Sequence, residues 1–205
     1  MILTENEQTQ VTAAEITRRG GIVAFRTDTF YGLGVDPFNR AALQALRELK
    51  GREDGKPILV LIADIDEIDR FIMHRSDLFN RVSARFWPGP LTLVGKARKE
   101  LPDELTAATG TIGVRLPNDT SVRDLVRACG GALTATSANP SGQPAARSAQ
   151  DVATYFPAGV DLVIKGGEVI VTEPSTVLDL SGEEPRLIRE GAVTREALLA
   201  ILSIG

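Results

Sequence analysis

Short apolar runs at 22–25, 57–63, 91–95, 112–116 and 132–136 alternate with segments of helical spacing, and polar loops flank the runs directly. A chain patterned this way has to bury a sheet against helices, which makes it an α/β protein. Val11, Ala14 and Ile16 mark a first helix that Gly20-Gly21 stops, and Leu43, Leu46 and Leu49 mark another over 41–49. Helical spacing returns over 65–86, closed by Trp87-Pro88-Gly89-Pro90, and again over 121–128. Thr27 to Gly34 reads as a turn, Ser148 to Asp151 as a capping box, and Thr194 as the cap of a last helix running to Leu202. Short strands at 162–164, 176–180 and 187–189 follow one another closely, so part of the sheet is antiparallel. The expected fold is a twisted mixed parallel/antiparallel sheet flanked by helices. With no repeat, low-complexity tract or long linker in 205 residues, one domain over 1–205 is expected, its core at about 11–202.

Composition removes several kinds of chemistry. Cys129 is the only cysteine and His74 the only histidine, so neither a disulfide nor a cysteine or multi-histidine metal site is expected. A Ser-His-Asp or Cys-His mechanism would have to use His74, which sits at a helix end where surface or capping duty is the simpler use. The net charge of −4 argues against general binding to nucleic acid, while leaving room for a local basic pocket. The N-terminus lacks a signal-peptide pattern, and the run at 57–63 is too short to span a bilayer. A cytoplasmic protein without membrane contact is expected.

Six loops or strand ends gather the residues that carry chemistry. Lys50 to Lys56 places Lys50, Arg52 and Lys56 among two glycines, immediately before strand 57–63. Open α/β sheets hold ligands at such junctions, although a cation ending a helix also satisfies the helix dipole. In Thr111-Ile112-Gly113-Val114-Arg115 an arginine interrupts an apolar strand and shares a face with Gly113 and Thr111. A buried arginine needs a partner, either a ligand's carboxylate or phosphate or a structural salt bridge. Thr136-Ser137-Ala138-Asn139 brings a hydroxyl and an amide out of a strand end, suited to a polar ligand or to making the turn. Thr27-Asp28-Thr29, Ser175-Thr176 and Arg189-Glu190-Gly191 complete the set. No P-loop, dinucleotide fingerprint or His-Glu-x-x-His occurs.

In this order, Thr-Asp-Thr-Phe-Tyr-Gly-Leu-Gly, Lys-Gly-Arg…Lys-Pro, Trp-Pro-Gly-Pro-Leu-Thr, Gly-Val-Arg-Leu-Pro, Thr-Ser-Ala-Asn-Pro-Ser-Gly, Ser-Thr-Val-Leu-Asp and Arg-Glu-Gly resemble the YrdC/Sua5-type threonylcarbamoyl-AMP synthases, in their short single-domain form. The resemblance spans about Val11 to Leu202. It implies a deep, positively charged concave cavity and a reaction of L-threonine, bicarbonate and ATP. The products are threonylcarbamoyl-adenylate and pyrophosphate. Mg2+ would accompany the ATP, with no protein metal site. The adenylate would pass to a tRNA threonylcarbamoyl transferase complex acting on adenosine 37, so that tRNA is an indirect partner. Carried over by residue, Lys50, Arg52 and Lys56 would neutralise the triphosphate and carry the catalysis. Thr111, Ser137, Asn139 and Arg189 would hold the nucleotide with them. Thr29, Tyr31, Arg115, Ser175 and the backbone of Ala135 would surround threonine, with Arg115 on its carboxylate. Arg26 stands where the family commonly has proline, and Leu59-Val60-Leu61 lacks a histidine that some members carry. Two other readings are an RNA-binding module, disfavoured by charge and few aromatics, and carbamoyl-adenylate chemistry as in hydrogenase maturation, whose domains sit in longer, cysteine-bearing chains.

Overall fold

The computed structural model describes residues 1–51, 57–167, 169 and 173–202. Among them the elements run β1 (Ile2–Thr4), α1 (Glu7–Arg18), β2 (Val23–Arg26), β3 (Tyr31–Gly34), α2 (Arg40–Lys50) and β4 (Leu59–Ile62). A 3-10 helix (Ile65–Arg70), α3 (Asp77–Phe86), β5 (Leu91–Lys96), α4 (Asp103–Thr106), β6 (Thr111–Arg115), α5 (Thr120–Ala128) and β7 (Ala132–Ser137) follow. The chain continues through α6 (Ala149–Tyr155), β8 (Leu162–Lys165), β9 (Thr176–Asp179), β10 (Arg186–Arg189) and α7 (Arg195–Leu202).

The helices start where short polar side chains satisfy their first free N–H groups. Asn6, Asn39, Ser76 and Asp119 each accept such a bond, and Ser148 with Asp151 forms the reciprocal capping box expected there. Gly51 ends α2 in the left-handed region at φ 57°, a conformation that costs a side-chain-bearing residue more than glycine.

The strands form one sheet in the order β1-β8-β2-β3-β7-β4-β6-β5-β9-β10. It is mixed: β2 pairs antiparallel with β3 and parallel with β8, and β5 pairs antiparallel with β6 and parallel with β9. β7 joins the halves, antiparallel to β3 on one side and to β4 on the other.

The two faces of this sheet are covered unequally. On one, Val60, Ile62, Leu91, Leu93, Ile112, Val114 and Leu178 join Leu43, Leu46, Phe79, Val82, Val152 and Leu198 in the main core, drawn from α2, α3, α6 and α7. On the other, Val23, Phe25, Leu61, Leu133, Leu162 and Ile164 pack beneath Ala13 and Ile16 of α1 and Val122, Leu125 and Val126 of α5. That second cluster stops near β4. The same face continues across β6, β5, β9 and β10 as the wall of a hollow.

Some elements differ from the sequence reading. The stretch 65–86 is a 3-10 helix and a separate α-helix, because the helix ends after the buried Phe71, and Ile72, also buried, bridges to Ala97. His74 lies in the segment between them rather than at a helix end. The turn expected at 27–34 is a tight loop at 27–30 followed by β3, whose Gly-rich sequence conceals a fully buried strand. β1 and α4, three and four residues long, carry too few residues to show a period.

Candidate functional site

A hollow of about 940 Å³ opens on the half of the sheet that α1 and α5 leave uncovered. Lys50, Arg115, Arg186 and Arg189 line it with one carboxylate, Asp179, among the described residues. The described residues carried over from the resemblance all line this one space: Thr29, Tyr31, Lys50, Thr111, Arg115, Ala135, Ser137, Asn139, Ser175 and Arg189. They come from eight separate elements or loops. Arg52 and Lys56 lie outside the described residues.

Lys50 is the last residue of α2 and is almost wholly buried. Its ammonium donates to the Ser137 carbonyl and stands 3.4 Å from Ser137 Oγ, while Ser141 N–H donates to the Lys50 carbonyl at 3.3 Å. The end of α2 and the exit of β7 are thereby tied together, holding a cation at the mouth of the strand. Asn139, also buried, donates Nδ2 to the Pro140 and Gln143 carbonyls at 3.1 and 2.5 Å. Its Oδ1 is buried without a hydrogen-bond partner among the described residues. A buried acceptor left open costs on the order of 1–3 kcal/mol, so a ligand donor there would recover free energy.

Arg115 ends β6 with 2% of its surface exposed. Its Nη2 donates to the Asp28 carboxylate, so a structural salt bridge does exist, formed with a residue of the Thr-Asp-Thr loop. Asp28 Oδ2 and Arg115 Nε remain buried without partners among the described residues. Burial, with the nearby charge of Arg189, lowers the Arg115 pKa to about 10, which still leaves it cationic at neutral pH. Arg189 is lowered as well, through its own burial. It donates Nε and Nη2 to the Ser175 carbonyl at 3.1 and 2.8 Å, and Nη2 lies 3.2 Å from Ser175 Oγ. Two like charges are thus held close inside protein, an arrangement that an anion would relieve.

The remaining residues are placed by local bonding. Thr27 Oγ1 accepts from the N–H groups of Thr29 and Phe30 at 3.1 and 3.2 Å and bonds Thr29 Oγ1 at 3.1 Å, which closes the loop between β2 and β3. Tyr31 is fully buried; its hydroxyl donates to Gly167 O at 2.9 Å and accepts from Gly166 N at 3.3 Å. Desolvation raises the pKa of that phenol, so it remains a donor. Thr111 shares a 2.9 Å bond with Thr109 at the rim. Ala135 lies in β7 opposite Leu59. Arg26, at the position where the resembled family commonly has proline, pairs with Asp119 at 2.6 Å and so ties the end of β2 to the cap of α5. Leu61, in the stretch that lacks a histidine, is buried and lines the hollow.

Sequence reasoning missed Asp28, Thr92, Val94 and Asp179. Asp28, Thr92 and Asp179 belong to quoted motifs, yet nothing in their spacing tells the partner of Arg115 or a lining residue from an ordinary turn or strand residue. Among the described residues no group of three or more His, Cys, Asp or Glu side chains is placed to hold a metal ion. None of their helices is long and apolar enough to cross a membrane.

A family model named for Sua5, YciO and YrdC and described as "Telomere recombination" matches residues 15–191. The chain is 34% identical over 190 residues to a threonylcarbamoyl-AMP synthase of Pyrococcus abyssi, covering 93% of this chain but only 56% of that protein. It is 39% identical over 164 residues to the synthase of Thiobacillus denitrificans, covering 80% and 87% of the two chains. The crystal structure of P. abyssi Sua5 complexed with L-threonine superposes with a TM-score of 0.94 at 32% identity, over 98% of this chain and 61% of that one.

Proposed function

We propose that this chain, which belongs to the Sua5/YciO/YrdC family, makes threonylcarbamoyl-AMP and pyrophosphate from L-threonine, bicarbonate and ATP, as a nucleotidyltransferase supplying the modification of adenosine 37 in tRNA. One observation carries the reading: Lys50, Arg115 and Arg189, distant in sequence, converge on one hollow together with Ser137, Asn139 and Ser175. Relatives named for this reaction, and one of them complexed with L-threonine, support it. The adenylate would then go to a downstream tRNA threonylcarbamoyl transferase complex.

The chemistry asks for positioning and charge more than for an acid or base. The neutral threonine amine adds to the carbon of bicarbonate, and loss of water leaves a carbamate. A carbamate oxygen then forms a bond to the α-phosphorus of ATP as the bond to pyrophosphate breaks. Both reactants are anionic, and fixed cations in a partly desolvated hollow lower their repulsion. Lys50 and Arg189 flank the space where the phosphates would lie, with Arg52 and Lys56 expected to join them. Arg115, held at one end by Asp28, would take the threonine carboxylate on its fork. Mg2+ enters with the ATP as part of that substrate, held by phosphates and water.

The deciding experiment measures pyrophosphate release while omitting threonine, bicarbonate and ATP in turn. Release that requires all three supports the synthase; release indifferent to threonine overturns it. Arg115→Ala should raise the threonine concentration needed for half-maximal rate by about ten-fold or more, with a smaller effect on ATP. An unchanged threonine dependence would remove Arg115 from that role.

A further inference from the structure

Strand β10 ends the sheet, walls one side of the hollow and carries two of its cations. Its register pairs Arg186 with Asp179, Leu187 with Leu178 and Arg189 with Val177. Residues three apart on a regular strand face opposite sides of the sheet. Here the pairing shifts between Leu187 and Arg189, and Ile188 is the extra residue of a bulge. Leu187 therefore packs against the main core beside Leu178, while Arg186, Ile188 and Arg189 all line the hollow. Asp179 and Val177 lie two residues apart on β9, so the two arginines stand about 7 Å from each other along the strand. Bulges at sheet edges serve to re-aim side chains beside a site, and this one turns an edge strand into a pair of cations on one face.

The two arginines are held differently. Arg189 is fixed inward, with Nε and Nη2 both on the Ser175 carbonyl. Arg186 lines the same space yet its side chain is 75% exposed, which puts it at the mouth. Its Nη2 donates to Asp179 Oδ2 at 3.1 Å. Asp179 is itself anchored through Oδ1, which accepts from Ser181 N–H at 2.9 Å and from Ser181 Oγ at 2.6 Å. The acids of the turn before Arg186, Glu183 and Glu184, are exposed and do not line the hollow. A pair as open to water as Arg186 and Asp179 contributes little to stability, so the fold has small need of it. Its effect is to keep a guanidinium standing at the entrance, within reach of whatever anion moves toward Arg189.

We infer that Arg186 is a capture residue for the nucleotide: it meets the phosphates of incoming ATP at the mouth and passes them along β10 to Arg189, while Asp179 holds it in place between encounters. The inference rests on the synthase reading above and adds a residue that neither the sequence nor the resemblance marked. A cation at an entrance acts at a distance. It raises the association rate more than it slows dissociation, and salt screens it.

The test follows association of a fluorescent ATP analogue by stopped flow in wild type, Arg186→Ala, Arg186→Glu and Arg186→Lys, at low and at high salt, with the melting temperature of each. Arg81→Glu is the control, an exposed charge on α3 across the sheet from the hollow. At low salt the association rate should fall about three-fold in Arg186→Ala and about ten-fold in Arg186→Glu, with dissociation changed less than about two-fold. Arg186→Lys should keep most of the rate, Arg81→Glu should stay within about two-fold of wild type, and the differences should shrink as salt rises. A wild-type association rate in Arg186→Glu, or an equal loss in Arg81→Glu, overturns the capture role and leaves the synthase reading standing. A change confined to dissociation overturns the capture role as well. Wild type that binds no ATP, followed by the analogue or by calorimetry, overturns the synthase reading and the capture role together.

Discussion

Strand β6 shows both faces of the sheet within five residues. Ile112 and Val114 point into the main core and are fully buried among aliphatic side chains. Thr111, Gly113 and Arg115, alternating with them, line the hollow, where one is partnered at the rim, one has no side chain and one is a buried charge. The same backbone hydrogen bonds hold both sets. The difference lies in what stands opposite: helices α2, α3, α6 and α7 fill one side, whereas α1 and α5 reach only half of the other. Packing removes water to gain stability, whereas at the hollow Asn139 Oδ1, Asp28 Oδ2 and Arg115 Nε have no partner among the described residues. The two faces should therefore answer to different measurements.

The sharpest contrast comes from Lys50 on the hollow side. Lys50→Ala should lower the rate of pyrophosphate release by about 10²–10³-fold while the circular-dichroism spectrum stays native. A rate within a few-fold of wild type would remove the charge argument. On the opposite face, Leu93→Ala should cost about 3 kcal/mol in urea unfolding, because Leu93 is completely buried and the surrounding β5 and α3 cannot close the cavity. Its folded fraction should keep the wild-type threonine requirement; a large change in that requirement would mean the faces are not separable. Thr176 lies between the two regimes. Its buried hydroxyl donates to Val193 O at 2.6 Å and accepts from the N–H groups of Gly191 and Val193 at 3.0 Å. Thr176→Val strands those groups and should cost about 2 kcal/mol, with threonine use altered only indirectly through the neighbouring Ser175.

The smallest effect concerns acid stability. Hydrogen bonds from the Arg147 and Ser148 backbone and from the Ser148 side chain hold the Asp151 carboxyl below its ordinary range. A carboxylate with a lowered folded pKa contributes stability that is complete above its unfolded pKa, near 4, and fades as pH falls through the folded value. Asp151→Asn should remove about 1 kcal/mol near neutral pH and flatten the acid limb of the unfolding curve. A limb as steep as that of wild type would place the acid sensitivity elsewhere. Cys129 gives an independent check on burial. Its thiol is pushed up to about 11, mainly by desolvation, so alkylation at pH 8 should be slow until the protein unfolds.

Most strands and helices were legible because their periods are clean. Helix α2 repeats Leu43 and Leu46 at helical spacing, and β4, β5 and β7 are apolar runs of ordinary strand length. β3 was not legible, since Tyr31-Gly32-Leu33-Gly34 has turn composition and becomes a strand only between β2 and β7. The break inside 65–86 was hidden too, because Phe71 and Ile72 satisfy a helical pattern and a buried bridge equally well. For the site, the cations and hydroxyls stood out as polar residues bordering apolar strands. Asp28, Thr92 and Val94 did not, because a turn aspartate and two ordinary strand residues carry no local mark of what they face.

By itself the order of motifs determined the class of fold and the family, and it marked the residues proposed to meet a polyanion, since these readings follow from local chemistry at fixed positions along the chain. Only the tertiary structure decided that Arg115 already has Asp28 as a partner and that Arg189 stands over Ser175. Those facts depend on strand order and register across β4, β6, β5 and β9, and register sets which side chains meet across residues far apart in the chain.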